Sequence, residues 1–126
     1  MTEPKTPHRL TLALACSMAL GSACATTPAT PAKPATPVAV VKTLGQRQCE
    51  GGGTTAAALA QALREAGVQV LAQACAHDGR MRPAVCGAPD GVMAWFEIPG
   101  DQLAKAQALG YVAMASLPDA RRQDCR

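Results

Sequence analysis

The sequence predicts a small α+β domain, a two-layer sandwich with the element order βαββαβ, and three observations carry that prediction. Two helix–glycine–strand segments echo each other, Leu63-Arg-Glu-Ala-Gly67-Val68 and Ala106-Gln-Ala-Leu-Gly110-Tyr111. The run Val92-Met-Ala-Trp-Phe-Glu-Ile98 has the length and apolar character of a core strand. Cys49, Cys75, Cys86 and Cys125 form an even set in a short domain once the targeting segment is set aside, so disulfide stabilisation is expected.

Each element follows from local chemistry. Val38-Ala-Val-Val-Lys-Thr-Leu44 is rich in β-branched residues and reads as a first strand. If it is only linker, an αββαβ sandwich remains. Gly51-Gly52-Gly53 breaks the chain, and Thr54 or Thr55 offers an N-cap oxygen to a helix running through Ala66. Ala56, Leu59, Ala60 and Leu63 fall on one face of it, with Gln61, Arg64 and Glu65 turned away. Gly67 is placed to end it in a left-handed turn. Val68, Val70 and Leu71, interleaved with Gln69 and Gln73, predict the second strand. Residues His77 to Gly91 read as a loop, and Val92 to Ile98 as the third strand. Pro99-Gly100-Asp101 opens a second helix with Asp101 as its cap and Leu103, Ala106 and Leu109 facing inward. Gly110 stops it, and Tyr111 to Met114 is a short last strand. This order is that of the split βαβ, ferredoxin-like plan, with two helices on one face of an antiparallel sheet.

Four cysteines allow three pairings. Antiparallel second and third strands put Cys75 and Cys86 at one end of the sheet, which favours Cys75–Cys86 across the connecting loop. Cys49–Cys125 would then join the start of the domain to its tail.

Ahead of the domain (residues 41–126), residues 1–24 read as a signal peptide. Lys5 and Arg9 precede the apolar run Leu10 to Leu20, and small residues follow at Gly21-Ser22-Ala23. That run is about half of the ~20 residues a membrane-spanning helix needs. Cleavage after Ala25, at the small-x-small sequence Ala23-Cys24-Ala25, would release a soluble periplasmic or secreted protein. Leu20-Gly21-Ser22-Ala23-Cys24 instead resembles the lipobox of bacterial lipoprotein precursors, with Gly21 where that family has Leu. The resemblance implies lipidation at Cys24 and a membrane anchor on the periplasmic side of the envelope, with the outer membrane as the expected membrane, and it is the preferred expectation. Cys16 has too short an apolar run before it. In residues 25–40, Pro28, Pro31, Pro34 and Pro37 recur every third residue, the period of a polyproline II rod. Such a rod, reaching roughly 43 Å from Cys24 to Val38, suits a spacer.

Composition narrows the function classes. Setting aside Lys5, Arg9 and Glu3 from 12 basic and 9 acidic side chains leaves a mature charge of +2, too small and dispersed for nucleic acid. One Trp, one Tyr and one Phe leave few stacking platforms. Cys75, His77 and Cys86, with Met81 nearby, carry a metal- or thiol-handling alternative, because thiolate and imidazole suit zinc or copper. Their spacing matches no zinc pattern, and oxidation would consume the thiols, so no metal or other cofactor is expected. His77-Asp78 as a base and its orienting carboxylate lacks a nucleophile, Ser116 being the sole serine past the leader. The glycine run before Thr54 lacks the lysine of a phosphate loop and reads as a turn that permits close packing. Glu97 reads as solvent-facing, and Arg121, Arg122 and Arg126 as a solvated basic tail.

No catalytic constellation emerges, so a non-enzymatic binding or structural domain is expected, acting on an envelope protein or peptidoglycan. Trp95 and Phe96 must lie on opposite faces of the sheet. One is expected in the core and the other open, which with His77 makes them the candidate binding residues. A βαββαβ domain on an envelope anchor is similar in architecture to the glycan-binding SPOR domains, and that similarity implies binding across an open sheet face.

Overall fold

The computed structural model describes residues 33–125. Cys16, Cys24, Arg126 and the signal and lipobox segments lie outside them. The elements are β1 (Pro37–Thr43), α1 (Ala56–Glu65), β2 (Ala72–His77), β3 (Val92–Pro99), α2 (Leu103–Ala108), β4 (Val112–Ala113) and β5 (Arg121–Gln123). Short 3₁₀ turns occupy Gly100–Gln102 and Met114–Ser116. The strands form one sheet in the order β4-β1-β3-β2-β5, antiparallel throughout. The domain is thus a small α+β fold with a five-stranded antiparallel sheet and two helices.

β1 begins at Pro37, inside the stretch read as linker. It is a central strand, paired with β3 from Pro37↔Pro99 to Thr43↔Met93, which excludes the αββαβ alternative.

The two helices end the same way, and their sequence echo is the reason. After α1 the Gly67 N–H donates to the Arg64 carbonyl and the Val68 N–H to Leu63. After α2 the Gly110 N–H donates to Gln107 and the Tyr111 N–H to Ala106. Both are Schellman endings, with glycine in the left-handed region, φ +75° at Gly67 and +83° at Gly110. In each, the residue after the glycine is buried beside the last inward residue of its helix, Val68 with Leu63 and Tyr111 with Ala106. The N-terminus of α1 is capped as expected, by Thr55, whose hydroxyl accepts from the Ala58 N–H at 3.1 Å. Asp101 makes no such bond; a 3₁₀ turn leads into α2 instead.

The second strand lies later than expected. Val68 is spent in the Schellman ending, and the Gln69 N–H donates to the Gln102 side chain at 2.6 Å. The ladder starts only with Leu71, whose N–H donates to Glu97, and β2 itself is Ala-Gln-Ala-Cys-Ala-His. Alanines have low strand propensity, so the pattern concealed a strand formed by pairing with β3.

Register divides the sheet into two faces. Val40, Ala94, Phe96 and Ile98 turn toward the helices and pack with Leu59, Ala60, Leu63, Val68, Ala106 and Tyr111. Phe96 meets Tyr111 edge to face, centroids 5.9 Å apart, and the Tyr111 hydroxyl donates to the Leu59 carbonyl at 2.7 Å. Val41, Ala74, Ala76, Met93 and Trp95 turn the other way, and that face is not open. The chain from Met114 to Ala120 crosses it as a strap, burying Ala120 and packing Met114 and Leu117 against Trp95 and its neighbours. The strap leaves β4 at one edge of the sheet and enters β5 at the other. Four strand spacings are about 19 Å, and Ala113 to Arg121 can reach at most about 27 Å, so little slack remains.

Candidate functional site

The expected binding pair, Trp95 and Phe96, is not available as a surface: both are buried, at 6% and 0% exposure. Phe96 is core, as one of the two had to be. Trp95 is covered by the strap, with its Nε1–H toward Met114 Sδ at 3.1 Å and the Arg122 guanidinium 4.3 Å from its ring. Arg122 is therefore no free basic tail; it stacks on the indole. Glu97, on the Trp95 face, is half-buried rather than fully solvated.

The disulfides correct the expected pairing. They join Cys49 to Cys86 and Cys75 to Cys125, with Cα atoms 5.1 and 4.9 Å apart. The element missing from the sequence reading was β5. It pairs with β2 as Cys75↔Gln123, Ala76↔Arg122 and His77↔Arg121, which carries Cys125 to Cys75. Cys86 instead sits in a loop held against the 44–53 segment. Gln48 and Ala88 are bonded through the Gln48 N–H, Gly87 donates back to the Gln48 carbonyl, and the Arg47 guanidinium donates to Gly87 at 2.6 Å. Gly53, at φ +75°, lets this segment fold, since a Cβ there would collide with the Leu44 carbonyl. Of the glycine run ahead of α1, Gly53 is thus the residue that permits close packing, while Gly51 and Gly52 face open space. Cys75 and Cys86 are both oxidised, with different partners, so Cys75, His77 and Cys86 supply no thiolates for a shared metal. Among the described residues, no group of three His, Cys, Asp or Glu is placed to hold a metal.

His77 borders the candidate site. It ends β2 and borders a cleft of about 370 Å³ with Leu44, Gln46, Cys75, Asp90, Val92 and Gln123. The floor is the end of the sheet and the walls are the two loops joined by Cys49–Cys86. The imidazole is fixed at both nitrogens. Nε2 lies 3.1 Å from the Asp90 carbonyl, and Nδ1 accepts from the Gly79 N–H at 3.1 Å. That pattern assigns the hydrogen to Nε2. Asp90 in turn accepts the Val92 N–H through Oδ1 at 2.9 Å, and its own N–H donates to Gln46.

Asp78 does not orient His77: its Oδ1 is 3.9 Å from Nδ1. It bonds instead to the Arg82 guanidinium and accepts the Arg80 N–H at 3.1 Å. Burial pushes its carboxyl up, but those two bonds and the nearby Arg82 charge outweigh it and hold the group below the ordinary 3.8. Arg82 Nε is buried without a partner. Ser116 donates to the Ala113 carbonyl at 2.7 Å and is not bonded to His77. Met81 is fully exposed.

The cleft thus presents an imidazole, the side chains of Gln46 and Gln123, and backbone groups, a set suited to hydrogen-bonding recognition. Gln46, Asp90 and Gln123 were not singled out from the sequence. Asp90-Gly91 ahead of the third strand was a turn signal for one of them; the glutamines carried none. The two disulfides fit an oxidising, exported compartment, and no helix among the described residues is long and apolar enough to cross a membrane. No family model, curated protein or solved structure matches the chain.

Proposed function

We propose that the chain is an exported lipoprotein, tethered at Cys24 and held off the membrane by its proline-rich spacer. Its domain acts without catalysis, binding an envelope protein or a peptidoglycan component in the His77 cleft. The observation that carries this reading is the oxidised frame of the cleft: Cys49–Cys86 joins its two wall loops and Cys75–Cys125 lies at its floor. Such crosslinks suit a small domain outside the reducing cytosol. The strand order 4-1-3-2 within the sheet, with two helices against one face, supports a ferredoxin-like core to which β5 is an addition. The amides, imidazole and Asp90 of the cleft suit a hydrogen-bonding, amide- or hydroxyl-rich ligand such as a glycan or peptide.

Intact mass of the protein extracted from membranes, alkylated before reduction, tests the tether and the oxidation together. A chain starting at Cys24 with acyl groups and no alkylated thiols is expected; a chain starting at Thr26 overturns the tether. For the ligand, retention of the oxidised protein on isolated peptidoglycan should fall with His77→Ala and Gln123→Ala. Retention equal to that of the unaltered chain overturns the cleft as the glycan site.

A further inference from the structure

The two disulfides hold different things. Cys49–Cys86 joins loops that already share a ladder of backbone hydrogen bonds. Cys75–Cys125 fastens the end of the strap to the sheet, where the other links are the short β5 ladder, the Arg122–Trp95 stack and a few apolar contacts. All three residues of β5 are exposed, and the strap's buried contribution is Ala120, with Met114 and Leu117 only partly covered. The two ends of this bond also differ: Cys75 is 4% exposed within β2, whereas Cys125 is exposed. The His77 cleft opens on Cys75 and Gln123, so the crosslink is flanked by solvent rather than sealed in the core. Gly79, at φ +73°, sits so close to Asp119 that a Cβ would strike its carbonyl, which seats the His77 loop against the end of the strap that leads into β5.

We propose that Cys125 is a thiol-exchange site, and that a dithiol protein reductant acting there unlatches the strap and uncovers the Trp95 face. A thiolate of the reductant attacks Cys125 Sγ and forms a mixed disulfide, the Cys75–Cys125 bond breaks, and Cys75 leaves as a thiolate that takes up a proton. The second thiol of the reductant then attacks the mixed disulfide, leaving the reductant oxidised and Cys125 free. Without its covalent end, the strap is held by three exposed strand pairs, the Arg122–Trp95 stack and a few partly buried apolar contacts. A strap with little slack that loses one end lifts from that end first. Released, it exposes Val41, Ala74, Ala76, Met93 and Trp95, while the helix-covered core stays packed. The inference goes beyond the binding reading and does not depend on it: the bond it breaks borders the cleft, but what it uncovers is the opposite face of the sheet, and it needs no cleft ligand.

Trp95 is the sole tryptophan of the chain and lies beneath the strap, so its emission, read beside far-UV circular dichroism, separates strap release from global unfolding. The oxidised protein is titrated with dithiothreitol, and freed cysteines are alkylated and mapped by mass. Cys75 and Cys125 should label before Cys49 and Cys86. Over the same range Trp95 emission should move to longer wavelength and become more accessible to acrylamide, with far-UV circular dichroism unchanged. Cys125→Ser should show the red-shifted emission without reductant, and the double variant Cys49→Ser/Cys86→Ser should keep the native emission. Earlier labelling of Cys49 and Cys86 overturns the proposal. So does native Trp95 emission once Cys75 and Cys125 are labelled, or loss of secondary structure in step with that labelling.

Discussion

Phe96 and Trp95 are neighbours on one strand, turned to opposite faces, and both are buried, yet by different means. Phe96 is covered by two amphipathic helices whose Schellman endings, with the Thr55 cap of α1, are set within a few residues of chain. Trp95 is covered by a strap with little apolar surface, anchored by a disulfide whose cysteines are 50 residues apart. The first cover is a cooperative core; the second is a lid with a covalent fastening. Small side chains make the lid possible. Ala39, Ala72, Ala74 and Ala76 keep the second face low, so that Leu117 and Ala120 can sit close to the sheet.

The contrast is broken most severely from the helix side. Phe96→Ala should cost about 3–5 kcal/mol, read as a lower urea midpoint with all probes shifting together. On the strap side, Gly79→Ala forces a side chain into a left-handed turn and against Asp119, at about 1–3 kcal/mol. Its effect should appear first in Trp95 emission and in faster trypsin cleavage at Arg121 and Arg122, ahead of global unfolding. Equal shifts of local and global probes would show that the strap belongs to the main cooperative unit. Tyr111→Phe removes only the bond to Leu59 and should cost about 1 kcal/mol, again globally. Arg122→Ala removes the guanidinium from the indole, at about 0.5–1 kcal/mol. It should alter Trp95 fluorescence with almost no change in melting temperature.

Acid sharpens the same comparison. Asp78 is held below its ordinary value in the folded chain, so its contribution is present above the unfolded pKa of about 4 and is lost as pH falls through the lower folded value. Loosening of the His77 loop and of the strap leaning on Gly79 should therefore begin below about pH 4, and Asp78→Asn should weaken that pH dependence. Tyr111 works at the other extreme. Burial raises its pKa above 10.0, so the stability it lends is complete below the unfolded value and is lost as pH rises through the folded one. Helix-side packing should thus fail in base while the loop and strap fail first in acid. Circular dichroism and Trp95 emission followed across both ranges check this.

The disulfides complicate any ranking by chain entropy. Their sequence separations, 37 and 50, each correspond to about 4 kcal/mol of lost unfolded-state freedom, nearly the same. What separates them is the structure each fastens. That difference appears in no count of residues between cysteines, and it explains why the expected pairing failed. Cys75–Cys86 looked natural because it spans a single loop between adjacent strands. It required that loop to fold back on its own strand, whereas the loop lies against residues 44–53.

The sequence by itself determined the signals that act over a few residues. Thr55 as a cap, Gly67 and Gly110 as helix stops, the apolar run of β3 and the opposite facing of Trp95 and Phe96 all follow from hydrogen bonds and side-chain periods local to each segment. Only the tertiary structure decided the late start of β2, the strap, β5 and the disulfide partners. Arg-Arg-Gln has no strand signature; it becomes β5 because the edge of β2 offers unpaired N–H and C=O groups to whichever segment is brought alongside. The information for that strand, for the cover over Trp95 and for the cleft at His77 resides in the partner each segment meets. A partner half the chain away leaves no mark on the residues that will find it.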